Sequence, residues 1–374
     1  MISSNPRGFY TVGNQAYDNK LLALAACKKD QEVKFHFYDE IYSQQDWTKR
    51  PLGTLKDLYK QRAQQLRDQY DYLVLYFSGG GDSWNILHTF LSNDIRLDEI
   101  YTRWARAERK FVNANPNRRE EWNIGSEFEY AVLPVLEKIR ISHPKINIVI
   151  DDYSEAYTKE FREDHFLQSD QFQMMGTAAR YNRKSEGQTL AEKRKQRVGI
   201  ILGYEKINCT VENGDFFAYF QDGLGGEAND HRNIETFYWN PNFPALPILQ
   251  AHCMKDHFKE QGLDKKSTYR SLYIKICYPE YNINTFQVDK FLGSMITKSE
   301  LWVAKYNPLY IDPWRWSLDQ IMKTIGDRFK KKKGPTVGLK NISSKKYLLE
   351  KNCGLPDFYY PGHASSDQLI KLII

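Results

Sequence analysis

The sequence predicts an α/β protein built on a parallel sheet with helices on both faces. Three observations lead there. Tyr72-Leu73-Val74-Leu75-Tyr76-Phe77 is a short apolar, β-favouring run of the kind that fills a strand buried on both sides. It runs directly into Ser78-Gly79-Gly80-Gly81-Asp82-Ser83, after which Ile86, Leu87, Phe90 and Leu91 fall at helical spacing. Strand-like and helix-like segments then alternate over residues 66–222, which implies right-handed crossovers and parallel pairing.

Residues 1–65 read as an N-terminal appendage, with a helix over Asn19–Lys28 and a strand over Val33–Tyr38. A helix from Thr54 to Gln69, with Leu55, Leu58, Ala63 and Leu66 apolar, leads into the first sheet strand. Leu97–Thr102 is expected as strand two. Glu120–Ile141 reads as one long helix, kinked at Pro134, with Phe128, Ala131, Val132, Val135, Leu136 and Ile139 on one face. Ile146–Ile150 is expected as strand three, Val198–Gly203 as strand four and Asp215–Gln221 as strand five, which completes a domain over residues 66–239. The pattern breaks at Asn240-Pro241. Residues 240–374 are expected to form a mostly helical cap on the substrate side, with helices over Leu246–Gln261 and Asp312–Phe329.

Composition sets the bounds. A chain of 374 residues with 41% hydrophobic and 14% aromatic content can bury a large core. The net charge of +6 draws on local runs such as Lys193-Arg194-Lys195 and Lys330–Lys333. With Trp314, Trp316 and Phe329 nearby, the second run could grip and stack a nucleic acid, or simply be a solvated helix end. Five cysteines without a CxxC pair read as reduced thiols, and no apolar run is long enough to span a bilayer. Leu21–Cys27 reads as a helix segment and not as a signal peptide, so a cytoplasmic protein with no membrane partner is expected.

The glycine loop carries the functional reading. Glycines let the backbone turn tightly, and the amides of the following helix start converge on one point, which makes a cradle for a phosphate chain. Ser78-Gly79-Gly80-Gly81-Asp82-Ser83 resembles the SGGxDS signature of the PP-loop ATP pyrophosphatases, the adenine nucleotide alpha-hydrolase-like superfamily. That superfamily includes asparagine synthetases and phosphoadenylylsulfate reductases. The loop lacks the Lys of a Walker loop and the third spaced glycine of GxGxxG. The resemblance implies a Rossmann-like domain that binds ATP and Mg2+. Gly79, Gly80 and Gly81 would hold the β- and γ-phosphates, with Ser78 and Ser83 adding hydroxyl donors. A carboxylate beside phosphates needs a cation, so Asp82 is the candidate magnesium ligand. The implied chemistry is attack of a substrate oxygen on the α-phosphorus, release of pyrophosphate, and displacement of AMP by a nucleophile.

Other candidates sit where strands end. Lys206, after strand four, is expected to neutralise phosphate charge, with a surface ion pair in a turn as the alternative, so Asp82 and Lys206 are the candidate catalytic pair. Glu205, Asp152 (beside Asp151) and Asp222 are candidate substrate contacts; the alternatives are a turn ion pair for Glu205, solvated turn residues for Asp151-Asp152 and a plain long connection around Asp222. Arg103 and Arg106, three apart, could share a helical face toward a polyanion, or simply form a charged solvent face. His252 and His257 do not have zinc-pair spacing and read as packing residues. The chain opens Met1-Ile2-Ser3, so no glutaminase-type N-terminal cysteine is expected. The acceptor could be a small molecule or a nucleobase. Alternative readings are a reductase of adenylylated sulfate using Cys353, and a nucleotide-binding module without turnover.

Overall fold

A computed structural model describes residues 8–17, 23, 26–28, 31–104, 128, 132–152, 184–203, 206–221, 233–262, 269–278, 280 and 342–359. Its centre is a five-stranded parallel sheet made of β4 (Tyr72–Tyr76), β5 (Glu99–Trp104), β6 (Asn147–Asp152), β7 (Val198–Leu202) and β10 (Asn233–Thr236), in the order β10-β7-β4-β5-β6. Leu73, Val74, Leu75, Ile200 and Ile201 are fully buried, as two-sided coverage requires.

Helices α2 (Leu55–Gln69), α3 (Gly81–Ser92), α4 (Leu133–Ser142) and α6 (Ala245–Gln261) share one core with Leu73, Leu75 and Ile100. On the opposite face α5 (Glu186–Lys193) sets Ala191 among Val74, Tyr101, Ile200 and Leu202. Helix α2 starts at a capping box, where Thr54 Oγ1 accepts from Asp57 N–H and Asp57 accepts from Thr54 N–H, a motif worth about 1 kcal/mol.

A buried carboxylate fixes α5. Glu99 opens β5 and accepts from Ser185 Oγ at 2.8 Å, Gln188 Nε2 at 2.9 Å, Asn147 Nδ2 at 2.9 Å and the Tyr72 hydroxyl at 3.0 Å. Ser185 is also the N-cap of α5, so one residue ties the helix start to the amino-terminal edge of the sheet. Gly187 passes so close that a Cβ there would lie 2.4 Å from the Tyr72 hydroxyl oxygen.

Several sequence expectations need correction. Asp215–Gln221 is not a strand of the parallel sheet. It becomes β9 (Asp215–Tyr219), an antiparallel partner of β8 (Asn208–Glu212) in a second sheet, order β12-β9-β8-β13, with β12 (Lys346–Glu350) and β13 (Phe358–Tyr359). The cause is Asn213-Gly214. Both residues adopt positive φ, 53° and 80°, which closes a two-residue hairpin where a crossover was expected.

Pro134 lies in the first turn of α4, where its missing N–H costs no bond; Phe128 and Val132 before it are π-helical, so the helix changes type there. The rest of the expected helix, 120–127 and 129–131, lies outside the described residues, as does Asp312–Phe329. The described part of the C-terminal region is not helical throughout. Beyond α6 and α7 (Tyr269–Cys277) it forms strands, and β11 (Ile342–Ser344) pairs in parallel with β3 (Val33–His36). With β1 (Phe9–Val12) and β2 (Gln15–Tyr17) these make a third sheet, so the appendage is completed by residues from the far end of the sequence. Most of the expected helix over Asn19–Lys28 lies outside the described residues. A short helix, α1 (Asp39–Ser43), follows β3. No helix among the described residues is long and apolar enough to cross a membrane.

Candidate functional site

The chain enters the parallel sheet at β4, builds outward through β5 and β6, then returns to lay β7 and β10 on the other side of β4. The strand order therefore reverses between β4 and β7. Beyond the carboxyl ends of such a pair the two loops part and leave a crevice, the usual ligand position in open α/β sheets. Ser78–Ser83 leaves β4 there, Gly203 leaves β7, and Lys206 follows three positions later.

Close approach governs the glycines. Gly79 adopts φ +73°, and a Cβ on it would lie 2.7 Å from Val132 Cγ2. A Cβ on Gly203 would meet Ser83 N at 3.0 Å and the Asp82 carbonyl carbon at 3.1 Å, so the second loop presses on the first turn of α3. Gly80 is the N-cap residue of α3. Its carbonyl accepts from Trp84 N–H at 2.9 Å and from the Ser83 hydroxyl at 3.1 Å, and its N–H donates to Ser78 Oγ at 3.3 Å. Ser83 is thus buried in the third helical position with its hydroxyl turned to the loop's own backbone, whereas Ser78 is exposed. The amides of Gly81, Asp82 and Ser83 precede the first intrahelical bond and stand at the positive end of α3.

The two residues expected to be catalytic meet. Lys206 Nζ donates to both carboxylate oxygens of Asp82 at 2.6 Å. The pair is mostly removed from water, with side-chain exposures of 9% for Lys206 and 13% for Asp82. The Tyr278 hydroxyl donates to Asp82 Oδ1 at 2.5 Å, and the Tyr238 hydroxyl to the Asp82 backbone carbonyl at 2.8 Å. Asn85 Nδ2 in turn donates to the Tyr238 oxygen at 3.1 Å. Burial, then the Asp82 charge, pushes both phenols well above their ordinary pKa, so both remain protonated donors. Lys206 Nζ also lies 5.8 Å from the Tyr273 ring centroid, and the Ile274 side chain is 3.3 Å from where a Gly81 Cβ would be. Tyr273, Ile274 and Tyr278 all come from α7 and the residue after it, a contribution that no local pattern announced.

The remaining candidates divide. Asp152 is exposed at the end of β6, the sheet edge two strands from β4, and is not brought to the loop. Asp151 is buried and accepts from the Tyr101 hydroxyl at 2.7 Å. Arg103 belongs to β5, not to a helical face, and its guanidinium stacks 4.4 Å from the Tyr76 ring centroid. Arg106, Glu205, Asp222, Trp314, Trp316, Phe329 and Lys330–Lys333 lie outside the described residues. Cys353 is buried, with its N–H donated to the Gly214 carbonyl. His252 is buried, and Nε2 lies 3.0 Å from the Trp47 carbonyl oxygen; burial lowers its pKa, in keeping with packing.

A magnesium ion needs carboxylate lone pairs, and here those of Asp82 serve Lys206 and Tyr278. Among the described residues no group of three or more His, Cys, Asp or Glu stands ready for a metal. As arranged, Asp82 does not fit the role of direct magnesium ligand. No family model matches the sequence, and no curated protein or solved structure matches the chain.

Proposed function

We propose that this protein binds a nucleoside triphosphate, ATP, at the crevice between β4 and β7 and adenylates an acceptor with release of pyrophosphate. The observation that carries the reading is the meeting of Asp82 and Lys206 at the reversal of strand order, on the first turn of a helix entered through three glycines. The amides at the start of α3 are suited to phosphate oxygens, and the Ser78 hydroxyl is exposed to add a donor. Lys206 has the charge to offset that building on the leaving pyrophosphate when an acceptor oxygen attacks the α-phosphorus. Magnesium enters as the counter-ion of the triphosphate, so Mg-ATP is the substrate form. A PP-loop type of Rossmann-like fold is the finer reading of the sheet, supported by its strand order and by the loop sequence.

The acceptor is a small molecule or a nucleobase whose oxygen attacks phosphorus; a second nucleophile then displaces AMP. The test incubates the full chain with Mg-ATP and fractionated metabolite and nucleic-acid extracts, and separates AMP plus pyrophosphate from ADP plus phosphate. Acceptor-dependent pyrophosphate release is expected, reduced by at least about a hundredfold in Lys206→Gln if the ammonium acts on transition-state charge. Undiminished release in both Lys206→Gln and Ser78→Ala would remove the mechanism. Tight ATP binding with no turnover on any fraction would move the reading to a nucleotide-sensing module.

A further inference from the structure

In this structure the ammonium at the crevice belongs to the protein's own carboxylate. Lys206 Nζ is 2.6 Å from both oxygens of Asp82, and the Tyr278 hydroxyl adds a third donor at 2.5 Å. Asp82 is the second residue of α3, so its charge also sits in the positive field of the helix start, where a bound anion would be held. A phosphate chain at the α3 amides and the Asp82 carboxylate would therefore seek the same cation and the same helix end. Two anions at contact distance repel, and the repulsion is strong where water is scarce.

We propose that Asp82 is a resident competitor for Lys206: an incoming polyphosphate must draw the ammonium off the carboxylate, which sets the affinity and selects highly charged anions over singly charged ones. The inference rests on the proposed triphosphate site and adds how that site rejects weak anions. Tyr278 takes part with the opposite sign. By donating to Asp82 Oδ1 it spreads the carboxylate charge and loosens its hold on Lys206. Tyr238 is bonded to the backbone carbonyl, not to the carboxylate, so it fixes the turn without touching the competition.

The experiment measures binding of inorganic tripolyphosphate and of orthophosphate to the full chain by calorimetry in EDTA, with circular dichroism to verify folding. Removing the competing charge in Asp82→Asn is expected to tighten tripolyphosphate binding at least about tenfold. Lys206→Gln is expected to weaken it; in that background Asp82→Asn relieves only the repulsion between anions, so its gain should be smaller than the gain with an ammonium to release. Tyr278→Phe is expected to weaken it by about two- to fivefold, since charge-assisted hydrogen bonds are the stronger kind. Wild-type binding with no gain in a folded Asp82→Asn would overturn the competition and leave the triphosphate site standing. A gain as large without Lys206 as with it would also overturn it. Should Asp82→Asn not fold, unchanged affinity in Tyr278→Phe overturns it in the same way. Binding by neither wild type nor Asp82→Asn would remove the triphosphate site, and the competition with it.

Discussion

Gly79→Ala combined with Val132→Ala tests the geometry of the loop most directly. Gly79 holds φ +73°, a region that costs an alanine about 1–2 kcal/mol. Its new Cβ would lie 2.7 Å from Val132 Cγ2, well inside contact distance, and forcing a buried neighbour aside costs roughly 1–3 kcal/mol. Val132 is 3% exposed, so it has no open space to retreat into. Gly79→Ala alone should therefore lose about 2–5 kcal/mol of stability, the sum of the two effects. Val132→Ala alone should lose about 1.5–3 kcal/mol by removing buried methyl groups. In the double variant the new methyl occupies space the valine has left, so the overpacking cost disappears while the backbone cost stays. The two changes should then fall short of additivity by about 1–3 kcal/mol. Urea denaturation of all four proteins reads this as midpoint displacements of about 1 M for the larger losses. Additivity within about 0.5 kcal/mol would mean that Val132 does not press on Gly79, and that the loop is shaped some other way.

At Glu99, the carboxylate with four side-chain donors, Glu99→Ala should lose about 3 kcal/mol because the buried Ser185 and Gln188 groups lose their acceptor. Glu99→Gln should lose much less, since Gln188 Oε1 is buried without a partner and an amide flip would let it accept from the new NH2 group. Equal losses in urea for the two variants would refute the account. Glu350, on β12, accepts from Lys255 and Lys259 of α6; those hydrogen bonds, that of Lys259 first, hold its pKa below the ordinary carboxylate value. Its contribution is therefore present above the unfolded value of about 4.3 and is lost as pH falls through the lower folded one. The stability difference between wild type and Glu350→Gln should be under about 1 kcal/mol near neutrality and fade as pH falls below the unfolded value. A difference that grows on acidification would contradict this sign.

What the sequence made legible was what its neighbours in the chain decide. The Tyr72–Phe77 run, the Thr54 cap and apolar face of α2, and the buried Val198–Leu202 strand are local signals, and each element lies within a residue or two of its expected place. The Asn213-Gly214 turn was also a local signal, stronger than the apolar run after it, and giving it more weight would have found the hairpin. Strand β10 offered little to read. Asn233-Ile234-Glu235-Thr236 has one apolar residue, and its edge position is stabilised by Glu235 paired with the buried Arg62 of α2. At the crevice, Asp82 and Lys206 were legible because each lies in the short segment by which the chain leaves a sheet strand. Tyr238 and Tyr278 reach Asp82 from 156 and 196 residues away, so no period or spacing could announce them.

The pairing of β11 with β3 has a consequence for biosynthesis. β3 finds its parallel neighbour only after roughly three hundred further residues have been made, which at ordinary elongation rates takes about 15 seconds to a minute. Throughout that interval one margin of β3 displays unsatisfied amides to whatever else passes in the cell. Newly made chain is then most prone to stick to its own kind, and a chaperone that shields short β edges would raise the yield of this protein more than one that shields its helices.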